Sequence, residues 1–272
     1  MPGEVVTTKT AIHDPPESYE ANPIHSAQGA AAAGYAGALV AGIHTYGWAA
    51  NAVIELFGEE WLALGWADVR YRRPVYPGEL LTTTVTEIGE AAARLVTTKA
   101  GGEVVLEGQC GLGIGPFTAD LEQPERVEPA PEPPERVRML LAEAPVGQDF
   151  LPMAVDASAS FLQAWVETRL DEHHPRWLGD RPLIHPAFLA GRMTPLFRHN
   201  YLYGPAIHVR TQIQHLRAGY GPQRLAVAAR LHAAYERKGH HYHESDCWIL
   251  GEDGEPIAAK RHTGIFLVGP RG

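Results

Sequence analysis

The chain has 272 residues, 45% hydrophobic and 20% charged, which suits one large or two small globular domains and excludes wholesale disorder. Lys plus Arg total 23 against 32 Asp plus Glu, a formal charge of −9; such a surface repels nucleic acid phosphates on average, and no uncharged apolar run approaches the ~20 residues of a membrane helix. Residues 1–10 lack the basic start and apolar stretch of a signal peptide. The two cysteines, Cys110 and Cys247, are too few for a disulfide framework or a cysteine zinc site, so we expect a cytoplasmic protein with reduced thiols that meets neither membrane nor nucleic acid.

Along the chain, the first dense group of polar chemistry is Glu20-Ala21-Asn22-Pro23-Ile24-His25. It sets a carboxylate, an amide and an imidazole within one short run. A carboxylate and a histidine held over one substrate can work as acid and base on a shared water; the alternative is a solvated turn built on Asn-Pro. Next, Ile43, Tyr46, Gly47, Ala50, Val53, Ile54 and Phe57 recur at helical spacing, and Gly58 is a helix stop. Runs rich in Val, Thr, Leu and Tyr at 66–73, 80–88, 92–99 and 104–114 predict strands, with Pro77-Gly78 and Gly101-Gly102 as turns.

Residues 116–134 contain six prolines among many carboxylates. Such a stretch is neither helix interior nor central strand and predicts an extended, solvated connection. Beyond it, Phe161, Leu162, Trp165, Val166 and Leu170 predict one helix, and Leu189, Met193, Leu196 and Phe197 another. Strands follow near 206–215, 223–236, 241–250 and 256–268. Trp165, Trp177, Phe188 and Phe197 read as core.

The two flanks of the connection resemble each other. Residues 38–45 read ALVAGIHT and residues 187–194 read AFLAGRMT, and each is followed by a Val-Arg pair, Val69-Arg70 and Val209-Arg210. The common order predicts a duplication, with units at 1–115 and 149–272 and a linker at 116–148. Each unit is helix first, then about four strands whose apolar face the helix covers.

Other polar clusters have plainer readings. His240, His241 and His243 read as a solvated strand and His173-His174 as a loop; no metal site is expected. His185-Pro186 opens a second-half helix where a ligand could approach. Arg70, Arg72 and Arg73 form a tight basic cluster in an acidic chain, and strand alternation puts 70 and 72 on one face. Guanidinium groups suit phosphates.

Asn22-Pro23-Ile24-His25, the helix opening Gly37-Ala38-Leu39-Val40-Ala41-Gly42, and Val69-Arg70-Tyr71-Arg72-Arg73-Pro74-Val75-Tyr76-Pro77-Gly78-Glu79 together resemble the MaoC-like (R)-specific enoyl-CoA hydratases. The order and approximate spacing agree over residues 18–115, and the second half resembles a degenerate copy. The resemblance implies an α+β double hot-dog, two antiparallel sheets each wrapped around a central helix. It implies a hydratase or dehydratase interconverting 2-enoyl and 3-hydroxyacyl thioesters of coenzyme A, with the thioester as substrate and no resident cofactor. A homodimer or higher homo-oligomer is compatible with it. By position, Glu20 and His25 match the catalytic pair, Asn22 the residue that orients water or thioester, and Gly42 the glycine whose N–H receives the thioester oxygen. We assign Arg70, Arg72, Ile43 and Tyr46 to substrate contact, and the second half to the shape of the tunnel.

The chain departs from the family pattern in three places. The acid is Glu20 rather than Asp, the usual histidine before the glycine is Ala41, and Ala11-Ile12-His13-Asp14-Pro15-Pro16-Glu17 stands where a helix is usual. Asp14 or His13 substitutes for the acid if that loop folds inward. A hot-dog thioesterase and a non-catalytic acyl-thioester binder are the alternatives.

Overall fold

The computed structural model describes residues 3–18 and 22–269. Ten strands form one antiparallel sheet. In the first half they are β1 (Glu4–Thr10), β2 (Gly65–Tyr71), β3 (Leu80–Gly89), β4 (Ala92–Lys99) and β5 (Val104–Leu112). In the second they are β6 (Met153–Ala157), β7 (Ile207–His215), β8 (Gln223–Arg237), β9 (His240–Leu250) and β10 (Pro256–Leu267). The order across the sheet is β1-β3-β4-β5-β2-β7-β10-β9-β8-β6, so the second half mirrors the first. The two sheets expected separately therefore join edge to edge through β2 and β7. In that seam Arg70 lies opposite Arg210, the same two residues that the internal repeat aligns, which puts the pseudo-twofold axis between them.

The eight strands expected from β-rich runs lie within two residues of their expected ends. β1 and β6 were not expected. β1 is an edge strand of Glu, Val, Thr and Lys with no apolar run to mark it, and it forms because β3 supplies a matching row of backbone groups from Leu80 to Thr86.

The first half's central helix, α2 (Gly42–Phe57), follows a short α1 (Ala27–Ala32). It is buried on nearly every side, from Tyr46 through Ile54, which explains why its apolar residues exceed a single stripe. Gly58 ends it at φ +75°, a left-handed backbone that a Cβ would strain. A one-turn α3 (Trp61–Leu64) leads into β2. The second half has α4 (Ala159–Leu170), then α5 (Pro186–Ala190) and α6 (Met193–Asn200). The single helix expected around Leu189 to Phe197 is thus broken at Gly191-Arg192. A Cβ on Gly47 would lie 2.9 Å from Leu170 and 3.0 Å from Ala187; the missing side chain lets α4 and α5 close onto α2.

The linker corrects the expectation of a solvated connection. It is extended but strapped to the second half. The Ala130 N–H donates to Pro152, Trp248 Nε1 donates to the Glu122 carbonyl, and Phe117 and Met139 are buried. The Asp149 carboxylate accepts from the N–H groups of Glu125 and Arg126 and from Arg230 Nη1. Glu128 and Glu132 remain exposed. Glu128→Ala is expected to change stability by no more than ~0.5 kcal/mol, whereas Asp149→Ala, which orphans three donors, is expected to lose about 2 kcal/mol. Urea denaturation of both variants checks the pair; equal losses would refute the strap.

Candidate active site

Asn22 is held extended before Pro23, as a residue preceding proline must be, and Pro23–His25 form one 3-10 turn. This turn delivers the His25 side chain towards the start of α2. The segment between them is fixed at both ends: the Leu39 N–H donates to Ile24 and the Val40 N–H to Val75.

The loop Ile12–Pro15 folds inward and buries Asp14, whose side chain is 1% exposed. Three groups converge on its carboxylate. His25 Nδ1 lies 2.8 Å from Oδ2, His44 Nδ1 lies 2.6 Å from Oδ1, and the Ala41 N–H donates to Oδ2 at 2.9 Å. Burial alone would raise the Asp14 carboxyl, but His44 and His25 outweigh it and hold the group well below the usual carboxylate range. Burial pulls the His25 imidazolium down more than any single neighbour pushes it, yet the Asp14 hydrogen bond and charge, with the Leu39 carbonyl, together raise it above 6.5. His25 Nδ1 thus has two acceptors, Asp14 and the Leu39 carbonyl oxygen at 2.9 Å. That fixes the proton on Nδ1 and leaves Nε2 as the working nitrogen.

Gly42 opens α2, and its N–H has no hydrogen-bond partner among the described residues. A Cβ there would meet the Tyr71 ring at 3.0 Å. A glycine therefore lets Tyr71 close over the helix start while the N–H and the positive end of the helix dipole stay open to an oxygen.

His25, His44, Gly42 and Tyr71 line a cleft of about 570 Å³ between the two halves, with Asp14 behind them. Of the residues expected at a site, His25, Asn22, Gly42, Ile43 and Arg72 line it. Asn22 has a different engagement from the one expected: Nδ2 donates to the Ala206 carbonyl and Oδ1 accepts the Ala206 N–H, so its amide clasps the two halves together. Tyr46 lies fully buried in the core behind the helix start. Arg70 is exposed on the seam and outside the cleft lining. β2 ends at Tyr71, so strand alternation no longer governs Arg72 and Arg73, and both line the cleft. Arg72 pairs with Glu107 at 2.7 Å and Arg73 with Glu103 at 3.4 Å. Glu20 lies outside the described residues.

Asp14 was foreseen only as a substitute acid, and His44 was not foreseen. His44 stands one turn into α2 from Ala41, the position of the expected histidine. Its one sequence signal is an imidazole on an otherwise apolar helix. In the second half, His243 is 1% exposed and stacks beside His262 with ring centroids 5.3 Å apart, which corrects the reading of a solvated strand. His185 is likewise buried, between Trp165 and Trp177, with burial lowering it to about 3. Burial pushes the thiols of Cys110 and Cys247 up to about 12. Among the described residues no cluster of three or more His, Cys, Asp or Glu is placed to hold a metal ion, and no helix is long and apolar enough to cross a membrane.

Residues 17–108 match the family model of the MaoC-like domain. Over that stretch the chain is similar to the MaoC-like domain. The whole chain aligns with a Chloroflexus aurantiacus protein named for a MaoC domain and a dehydratase, at TM-score 0.65 and 14% identity, covering 100% of this chain and 96% of that one. It also aligns with a Mycobacterium tuberculosis protein described as a double hot-dog, at TM-score 0.62 and 14% identity, covering 96% and 95%. A Lactobacillus plantarum protein named as an oleoyl thioesterase aligns at TM-score 0.54 and 10% identity, covering 99% and 97%. No curated protein matches the sequence. At these identities the alignments show the fold, a double hot-dog, and the domain match supports a hydratase or dehydratase.

Proposed function

We propose that this MaoC-like protein adds water to a 2-enoyl thioester and removes it from the 3-hydroxyacyl product, with coenzyme A as the carrier. The observation that carries the reading is the open Gly42 N–H in the same cleft as an imidazole whose Nδ1 is locked onto a buried carboxylate. In the hydration direction, His25 Nε2 takes a proton from water as the hydroxide oxygen bonds to the β-carbon. The double-bond electrons move onto the thioester oxygen, where the Gly42 N–H stabilises the enolate. The imidazolium returns the proton to the α-carbon as the enolate collapses, so one water is consumed and the histidine is regenerated. Asp14 touches no reacting atom in this scheme; it positions His25 and stabilises the imidazolium. Glu20 is not required by it.

Incubation with crotonyl-coenzyme A tests the reading. Loss of enoyl absorbance without release of thiol is the expected result. Thiol release in step with the loss of absorbance would replace hydration by thioester hydrolysis, in which the same histidine activates water against the carbonyl.

Arg72 and Arg73 fit the phosphates of the carrier, at the cost of exchanging their exposed carboxylate partners. Arg72→Ala and Arg73→Ala are each expected to raise KM several-fold with little change in kcat, because contacts far from the reacting atoms bind ground and transition states alike. Arg70→Ala is expected to leave both constants unchanged. A KM effect confined to Arg70 would show that the handle runs along the seam instead.

A further inference from the structure

The second half contributes to the cleft a cation without a counter-ion among the described residues. Arg192 follows Gly191 at the break between α5 and α6, where the internal repeat aligns Gly191-Arg192 with Gly42-Ile43. Its residue is 9% exposed, yet it lines the cleft. The guanidinium lies with Cζ 3.8 Å from the centroid of the Phe188 ring, and Nε donates to the Phe188 carbonyl at 2.8 Å. Neither terminal nitrogen has a hydrogen-bond partner or a carboxylate among the described residues. Burial, and after it Arg169, lower Arg192 to about 10, and burial with Arg192 lowers the fully buried Lys260 to about 8.

A buried guanidinium costs several kcal/mol unless an anion compensates it. The ring face and one carbonyl offset part of that cost. The two free nitrogens of the fork are the geometry that receives a carboxylate with two parallel hydrogen bonds. The place fits an acyl group. A Cβ on Gly191 would lie 3.4 Å from Ile43, the neighbour of Gly42. On the other side the rings of Phe188 and Trp165 lead back to His44, with centroids 5.3 Å and 6.1 Å apart in turn.

We propose that Arg192 binds a carboxylate on the acyl group, so that the substrate is the thioester of an unsaturated dicarboxylic acid rather than of a plain fatty acid. This rests on the thioester reading above. A carrier phosphate shares the anionic chemistry but is bulkier and more strongly hydrated, and Arg72 and Arg73 offer it an exposed place.

Two inert thioethers, S-butyl-coenzyme A and S-(4-carboxybutyl)-coenzyme A, can be neither hydrated nor hydrolysed, so calorimetry with them reads recognition apart from catalysis. The wild type is expected to bind the carboxylated probe ~10- to 100-fold more tightly, the range of a charge-assisted hydrogen-bonded pair. Arg192→Gln is expected to bring the ratio to about one, and Arg192→Lys, which keeps the charge but loses the fork, to an intermediate value. Equal affinities in the wild type overturn the proposal, as does a preference that survives in Arg192→Gln. Should Arg192→Gln fail to fold, the wild-type ratio and Arg192→Lys decide. Loss of affinity for both probes alike, absent with the matching pantetheine thioethers, assigns Arg192 to the carrier phosphates and overturns the carboxylate. If neither coenzyme A probe binds the wild type, the thioester reading falls and the proposal falls with it.

Discussion

His25→Gln is expected to lower kcat by about 100-fold or more on an enoyl thioester, the scale of a positioned proton-transfer group. Glutamine fills a similar space and can still reach the Leu39 carbonyl, so the loss would report proton transfer rather than collapse of the turn. The pH profile gives the finer reading. Hydration needs the neutral imidazole, and Asp14 raises the His25 imidazolium above 6.5. The kcat/KM for hydration should therefore rise with pH through a midpoint above 6.5, and that for dehydration should rise through the same midpoint, because the scheme begins from the neutral imidazole in both directions. Asp14→Asn removes the anion that holds the imidazolium, so its midpoint should move to lower pH as kcat falls. Asp14→Asn added to His25→Gln should cost little more than His25→Gln alone, because the two act as one unit. A His25→Gln enzyme of unchanged kcat would end the proposed mechanism.

The second large effect is on stability. Asp14 is the anion that two buried imidazoles and the Ala41 N–H share. Asp14→Ala leaves all three without it and is expected to cost about 3 kcal/mol, as breaking a buried ion pair does. The sign of the pH dependence follows from the two shifts. Asp14 is held below its ordinary 3.8, so its contribution is present above that value and fades as pH falls through the lower, folded one. His25 is raised above 6.5, so its contribution is complete below 6.5 and is lost as pH rises through the raised value. The stability gap between wild type and Asp14→Ala should thus be widest between about pH 4 and 6.5 and narrow towards pH 9. Urea titrations at pH 5, 7 and 9 measure it. A gap that widens with pH would mean that His25 is a neutral partner and carries no raised imidazolium.

Much of the architecture is written locally in the chain. The alternation and β-branched content of 80–89 and 92–99, the turn glycines between them, and the helical spacing that stops at Gly58 are short-range signals, and short-range signals suffice for elements that form from their own propensity and pattern. Asn22-Pro23-Ile24-His25 belongs to the same class: the proline fixes the backbone ahead of it, and the turn that presents His25 follows. The repeat of ALVAGIHT in AFLAGRMT, with Val69-Arg70 and Val209-Arg210 downstream, likewise marks the two units as equivalent, while the facing of Arg70 and Arg210 across the seam is given by the fold alone.

What only the tertiary structure decided is which polar groups end up without water. Asp14 sits in a loop whose prolines and carboxylates look solvated; it is buried because the start of α2 and the His25 turn close over it from elsewhere in the chain. His44 has no cue of its own, since an imidazole on an apolar helix face is costly until a carboxylate arrives from another segment. His243 alternates correctly for its strand, but the face it shares with His262 turns inward. The same holds for Arg192. Its sequence reads as the interior of one helix; the break at Gly191-Arg192, and the lack of a carboxylate beside it among the described residues, arise from the packing of α5 against α2. Burial, and with it the charge state of each group, depends on contacts distant in sequence, and no local pattern encodes those.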